Sequence, residues 1–314
     1  MKPVTPKDAA AIILLRQHTD PTNPEIFWVK RSYSLAFLGG FHAFPGGQID
    51  ESDGAVEVWN APDQTTATMI SGAARELFEE LGVLLVHGGE TLTKGQRESV
   101  LDDLNSQRLT WPDLLKHYGL HLDANDFAFA GRWVTPPFSP RRFDTWFFLV
   151  NCPPKQEPRV VHGELIQGEW ICARDAYARW LNSEALLAPP TLHALSTLAG
   201  GLTPDLLERF LDVPQSRGET VRRIEFYPNY ICFPVRTPTR PPATHTNCYV
   251  VYSSEEIFIF DPGSPYDDEQ QALAKFIKGL IDEGRRVKAI VITHVHPDHA
   301  AGVNPLIQSL GGEI

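Results

Sequence analysis

Glu76, Glu79 and Glu80 fall at i, i+3 and i+4 in the string Arg75-Glu76-Leu77-Phe78-Glu79-Glu80-Leu81-Gly82-Val83. If the string is helical, the three carboxylates share one face while Leu77 and Leu81 anchor the opposite face in a core. Like charges so close repel unless a cation sits among them, and carboxylate oxygens on neighbouring turns suit Mg²⁺ or Mn²⁺. The plain alternative is a solvated acidic helix face. A second group, Thr293-His294-Val295-His296-Pro297-Asp298-His299, places three imidazoles and a carboxylate within six residues of one another. Imidazole with carboxylate is a zinc-ligand set.

Each group needs elements to hold it. Gly82 stands where a helix C-cap is expected, and Phe44-Pro45-Gly46-Gly47 is a turn of the kind that lets backbone approach a ligand closely, which makes Gly46 and Gly47 candidate substrate contacts. Apolar runs predict strands over 9–15 and 26–31, with a third over 37–44 leading into that turn. The polar stretch 49–66 reads as a surface loop, with capping of a cleft as the alternative. Helical patterns follow over 94–105 and 111–118, then strands over 127–133, 141–149 and 163–171, and helices from 175, over 192–199 and over 204–211. Arg141 and Arg142 open one of those strands, and a guanidinium matches phosphate oxygens in a bidentate way. In the C-terminal third, 247–252 and 257–260 read as paired strands, 269–283 as a helix, and 287–292 as the buried strand that delivers the histidines. The segments 214–219 and 234–246, rich in Pro, Arg and Thr, read as linker and domain entry.

At 314 residues the chain is long enough for two cores. A hydrophobic share of 42%, a charged share of 21% and a formal charge of −11 describe an ordinary globular protein whose main partner is neither nucleic acid nor an anionic membrane. Cys152, Cys172, Cys232 and Cys248 have neither metal-site nor disulfide spacing, which fits a reducing cytoplasm. The first apolar run is too short to span a bilayer and lacks the flanks of a targeting segment.

The string from Arg75 to Val83 resembles the second half of the Nudix box, G-x5-E-x7-R-E-U-x-E-E-x-G-U with U apolar, and fits it at every specified position. The first half departs from the pattern: the family sets its glycine 14 positions before the arginine, whereas Gly47 and Arg75 stand 28 apart, an insertion of 14. Counted back from Arg75 the family's first glutamate falls on Ala67; counted forward from Gly47 it falls on Asp53. Together with Phe44-Pro45-Gly46-Gly47, Arg142-Phe143-Asp144-Thr145 and Ala188-Pro189-Pro190-Thr191, the enlarged box is similar to peroxisomal-type coenzyme A diphosphatases and their bacterial relatives. One arginine of the coenzyme A signature is replaced here by Ala36. Thr-His-x-His-x-Asp-His, with Thr246-Asn247, Tyr249 and Asp261-Pro262-Gly263 upstream, resembles the metallo-β-lactamase superfamily.

These resemblances imply an α+β protein: a Nudix α/β/α sandwich with a mixed sheet over 1–213, a linker over 214–221, and an incomplete αβ/βα metallo-β-lactamase fold over 222–314. They further imply Mg²⁺ or Mn²⁺ on Glu76, Glu79 and Glu80, with Arg75 orienting that cluster. Glu164 is implied as general base, with Glu169 as runner-up, and a small-molecule diphosphate as substrate, in coenzyme A or an acyl-coenzyme A. In the second domain His294 and His296 would hold one zinc, and Asp298 and His299 another. The family's remaining ligands lie beyond this motif, yet the 15 residues after His299 hold no His, Asp or Cys. The expectation is therefore a piece of a longer protein, or a site that a partner completes. Two other functions stay open: a zinc-dependent thioester or lactone hydrolase with an accessory Nudix domain, and a non-catalytic Nudix-fold ligand sensor.

Overall fold

The computed structural model describes residues 4–161, 163–219, 221–241 and 243–312. Its first sheet is built from β1 (Lys7–Leu15), β2 (Glu25–Arg31), β3 (His42–Ala43) and β4 (Gly46–Gln48), joined by three later strands. Between these come β5 (Val58–Trp59), α1 (Gln64–Leu81), α2 (Lys94–Asn105), α3 (Trp111–Tyr118) and β6 (Leu122–Asp123). Strands β7 (Ala128–Val134), β8 (Phe143–Asn151) and β9 (Leu165–Cys172) follow, then helices α4 (Ala173–Leu181), α5 (Pro189–Ala199) and α6 (Leu206–Leu211).

β1 is the centre of this sheet. β8 runs parallel along its full length on one side, while β4 covers its first half and β2 its end on the other, both antiparallel. The alternation of β1 divides two cores. Ala10, Ile12 and Leu14 pack under α1, α2 and α3, and Ala11, Ile13 and Leu15 pack under α4, α5 and α6. The result is a mixed sheet between two helical layers.

Two local expectations are corrected. The predicted strand over 37–44 shrinks to His42–Ala43, because Leu38 at φ 52 and Gly40 at φ 80 turn the chain where an extended run would have to continue. The insertion neither lies on the surface as a plain loop nor caps the cleft. It forms a short 3-10 turn over Glu51–Ala55 and then β5, which pairs parallel with β6. Its Val56 and Val58 enter the core beneath α1.

The C-terminal third is a second sheet, β10 (Ile224–Tyr227), β11 (Tyr230–Arg236), β12 (His245–Tyr252), β13 (Glu256–Phe260) and β14 (Arg286–Val291), in that order across the sheet. α7 (Asp267–Asp282) is the crossover to parallel β14, and α8 (Pro297–Ala300) and α9 (Val303–Ser309) follow. One face, with Ile231, Phe233, Cys248, Val250 and Ile259, buries itself under α7 and α9, while Tyr230 and Tyr249 stand exposed on the other. The entry segment expected from 234 onward is in part strand. Pro234 continues β11, and it is tolerated there because the β10 register ends at Cys232, leaving β11 a neighbour on one side only. Nor is the junction a free linker: Val213 and Val221 are buried in the core under α4, α5 and α6, and Ile224 packs against it. The four cysteines are unpaired. Among the described residues no helix is long and apolar enough to cross a membrane.

Candidate active site

α1 begins where the Asp63 carboxylate accepts the Thr66 N–H at 2.7 Å, and ends at Gly82, whose φ of 67 suits a left-handed cap. Between them Ile70, Ala73, Ala74, Leu77 and Leu81 are buried in the core, which fixes the helix rotation. That rotation aims Glu76, Glu79 and Glu80 at β4. None of the three is on a solvated face: all are at least half withdrawn from water.

β4 meets them with two glycines. The Gly46 N–H donates to Glu80 Oε2 at 3.0 Å, and a Cβ on Gly47 would lie 2.5 Å from the Glu76 carboxylate. The glycine turn is therefore the seat of the carboxylates, beyond any contact with a substrate. Arg75 is buried beside them. Its Nη1 donates to Glu76 Oε1 at 3.0 Å and to Glu79 Oε2 at 2.9 Å, while Nε and Nη2 hold Asp53 at 2.8 and 2.9 Å. Of the two positions left open for the first glutamate, Asp53 pairs with Arg75, whereas Ala67 is packed in the apolar core.

One guanidinium serves three carboxylates here, Asp53, Glu76 and Glu79, while Glu80 has only the Gly46 N–H. Burial pushes Glu76 up to about 7 against the pull of Arg75, and Glu80 up to about 8 against the Gly46 N–H; it raises Glu79 as well. Such a site is short of positive charge. Each of Glu76, Glu79 and Glu80 gives one oxygen to these hydrogen bonds and keeps its other for a hard cation, so the donor set fits Mg²⁺ or Mn²⁺. As the side chains stand, no three His, Cys, Asp or Glu converge closely enough to hold an ion among the described residues. Closing on one requires rotation of the glutamate side chains.

The carboxylates lie at a cleft of about 1080 Å³ that Gly46, Gly47, Arg31, Arg141 and Glu164 also line. Glu164, just before β9, is 65% exposed at its side chain and 3.6 Å from Arg31 Nη2. Its runner-up Glu169 is spent elsewhere, accepting from Arg179 Nη1 at 2.6 Å and from Trp28 Nε1 at 3.3 Å, and does not reach the cleft. The two arginines separate likewise. Arg142 donates to the backbone carbonyls of Val4 and Thr135 and does not line the cleft, whereas Arg141 does.

Two cleft residues escaped the sequence reading. Arg31 ends β2 with a buried Nε that has no partner. His42 lies against Trp28 with ring centroids 4.2 Å apart, and burial, with help from Lys30, lowers it to about 4. A signal existed only for Arg31, as the charged end of an apolar strand; a lone histidine carries none.

In the second sheet, β14 delivers the histidines to one point. The His294 ring centroid is 4.7 Å from that of His296 and 4.0 Å from that of His299. His299 Nδ1 is 3.0 Å from Asp261 Oδ2, and its Nε2 is 3.8 Å from Asp298 Oδ2. Asp261 is held at its post by Thr293, whose N–H and hydroxyl donate to it at 2.7 and 2.8 Å. Three imidazoles with a carboxylate fit zinc by donor type.

The metallo-β-lactamase superfamily model matches residues 241–312. Over 211 residues the chain is 26% identical to nudix hydrolase 7 of Caenorhabditis elegans, covering 66% of this chain and 65% of that one. It is 23% identical to the human acyl-coenzyme A diphosphatase NUDT19, over 88% of this chain and 85% of the relative. The crystal structure of a NUDIX hydrolase from Alicyclobacillus acidocaldarius superposes with a TM-score of 0.55 at 29% identity, over 66% of this chain and 97% of that one. The chain thus spans about two thirds of the length of its nematode relative.

Proposed function

We propose that this chain, a Nudix hydrolase domain joined to a metallo-β-lactamase superfamily segment, cleaves a diphosphate linkage in coenzyme A or an acyl-coenzyme A with Mg²⁺ or Mn²⁺. The observation that carries the reading is the gathering of Glu76, Glu79 and Glu80 at the glycine turn, at the wall of a cleft, with Arg75 bound to the first two and the Gly46 N–H to the third. A divalent cation held by the three glutamates would neutralise the diphosphate and polarise water. The chain's own residues do the rest. Asp53 fixes Arg75, Arg75 orients Glu76 and Glu79, and the Gly46 N–H orients Glu80. Gly46 and Gly47 bring backbone close to the diphosphate, Arg141 meets its outer oxygens, and Glu164 takes the proton of the attacking water. We take 1–213 as the diphosphatase unit, 214–221 as a packed joint and 222–314 as the second unit. Its unpaired cysteines support a reducing cytoplasm as the place of work.

The test is mass-resolved release of a phosphorylated fragment from coenzyme A and its esters, with Mg²⁺ and with Mn²⁺. Glu79→Gln with Glu80→Gln should abolish it, and undiminished turnover would sink the assignment.

The convergence of His294, His296 and His299 supports a second reading, zinc-dependent thioester or lactone hydrolysis by the C-terminal unit. Zinc-loaded protein that cleaves no thioester or lactone would remove it.

A further inference from the structure

The cleft is larger than a diphosphate needs, and its lining comes from both units of the chain. Phe37 and Phe41 from the turn after β2 and Phe143 from the start of β8 line it together with Val221, Ile224 and Phe226 of the joint and β10. The wall is built, since the Phe41 and Phe226 rings meet edge to face at 5.0 Å, and Phe37 lies 5.4 Å from Phe143. The Phe226 carbonyl accepts the Trp180 Nε1 hydrogen bond at 3.0 Å, which ties β10 to α4, and Val221 is buried in the core under the sheet. Two hydroxyls at this end are turned toward backbone: the Thr135 hydroxyl accepts from the Phe143 N–H, and the Ser139 hydroxyl donates to the Arg141 carbonyl.

A wall of aromatic and aliphatic side chains presents no polar side-chain group of its own with which to read the edges of a base or a sugar. It favours hydrocarbon, whose transfer from water needs no partner. We propose that the joint and β10 form one side of an apolar subsite for an aliphatic chain on the substrate, so that the C-terminal unit sets which acyl thioesters the diphosphatase site accepts. For its turnover readout this inference rests on the diphosphatase reading above.

The experiment uses the full chain and two readouts. In the first, kcat/KM is measured for unacylated coenzyme A and for esters of increasing chain length. The wild type should gain about threefold to fourfold per added methylene until the subsite is filled. Ile224→Trp, which fills the subsite, should flatten that dependence, and Phe226→Leu, which enlarges it, should move the optimum to longer chains. The second readout is binding of a fluorescent dansyl fatty acid, which needs no turnover; Ile224→Trp should weaken it at least about tenfold. Probe binding that Ile224→Trp blocks, without cleavage of any coenzyme A ester, would overturn the diphosphatase reading and leave the subsite standing. A wild type that binds no probe, or variants that change every chain length alike, would overturn the subsite.

Discussion

Arg75 grips Asp53 through two N–H···O bonds, Nε to Oδ1 at 2.8 Å and Nη2 to Oδ2 at 2.9 Å, across 22 residues of sequence and out of reach of water. Gly72, one turn before Arg75, leaves the space this needs: a Cβ there would come 2.9 Å from Asp53 Oδ2. Removing Asp53 leaves buried guanidinium N–H groups unpaired while Glu76 and Glu79 still hold Nη1, at a cost of about 1–3 kcal/mol. Asp53→Ala should therefore lower the free energy of urea unfolding by that amount and cut turnover, because Arg75 loses the two bonds that fix its plane against Glu76 and Glu79. Ala67→Ser, at the other position the box spacing allowed, should leave turnover within about twofold.

Local spacing made the carboxylate helix legible. Glu76, Glu79 and Glu80 share a face by helical geometry alone, and Gly82 marks the helix end, so both followed from one short string. Asp53 did not follow, because an insertion lets the chain be counted from either end, and only the fold back onto Gly72 decides the count. Arg141 and Arg142 could not be told apart for a related reason. Both stand just before β8, which begins at Phe143 and not at 141, so strand alternation assigns neither, and only the bonds of Arg142 to the Val4 and Thr135 carbonyls separate them. The strand through Pro234 was hidden because a proline is allowed only where a neighbour is missing, and that is a property of the sheet.

The split between the arginines is directly testable. Arg142 donates to the carbonyls of Val4 and Thr135, whereas Arg141 lines the cleft. Arg141→Ala should raise KM about tenfold through loss of a charge-assisted phosphate contact, with little change in unfolding temperature. Arg142→Ala should do the reverse, costing about 1 kcal/mol of stability with KM preserved. Steady-state kinetics beside thermal unfolding distinguishes the two.

His42 sets a pH dependence. Its folded pKa of about 4 lies below the 6.5 of an ordinary histidine, because burial and then Lys30 disfavour the charged ring. The unfolded chain therefore takes up the proton first. The contribution of His42 to stability is full above pH 6.5 and is lost as pH falls from there through 4, by up to about 3 kcal/mol. His42→Phe keeps a ring against Trp28 and removes the titration. Urea midpoints between about pH 7.5 and about pH 4.5 should thus fall less in the variant than in the wild type. Equal slopes would place the acid sensitivity in other groups.

Gly46 and Gly47 are neighbours whose substitution should fail in different ways. At Gly46 the backbone has φ 150, and a Cβ would sit 2.3 Å from the Ala10 carbonyl oxygen and 2.5 Å from Ala11 Cα, both in the central strand. Neither can yield without parting β4 from β1, so Gly46→Ala should cost roughly 3 kcal/mol or more and lower the unfolding midpoint whether or not metal is present. At Gly47 a Cβ would meet only the Glu76 carboxylate, the far end of a flexible side chain. That group can move aside, so Gly47→Ala should unfold within about 1 kcal/mol of the wild type. Its cost should appear at the site instead. With Glu76 displaced, the Mg²⁺ concentration for half-maximal activity should rise by about tenfold or more, in the range seen when the surroundings of a metal ligand are disturbed. A Mg²⁺ titration of activity, run beside urea unfolding of both variants, reads the two effects separately. A Gly47→Ala protein that binds Mg²⁺ as the wild type does would show that Glu76 contributes nothing to holding the ion.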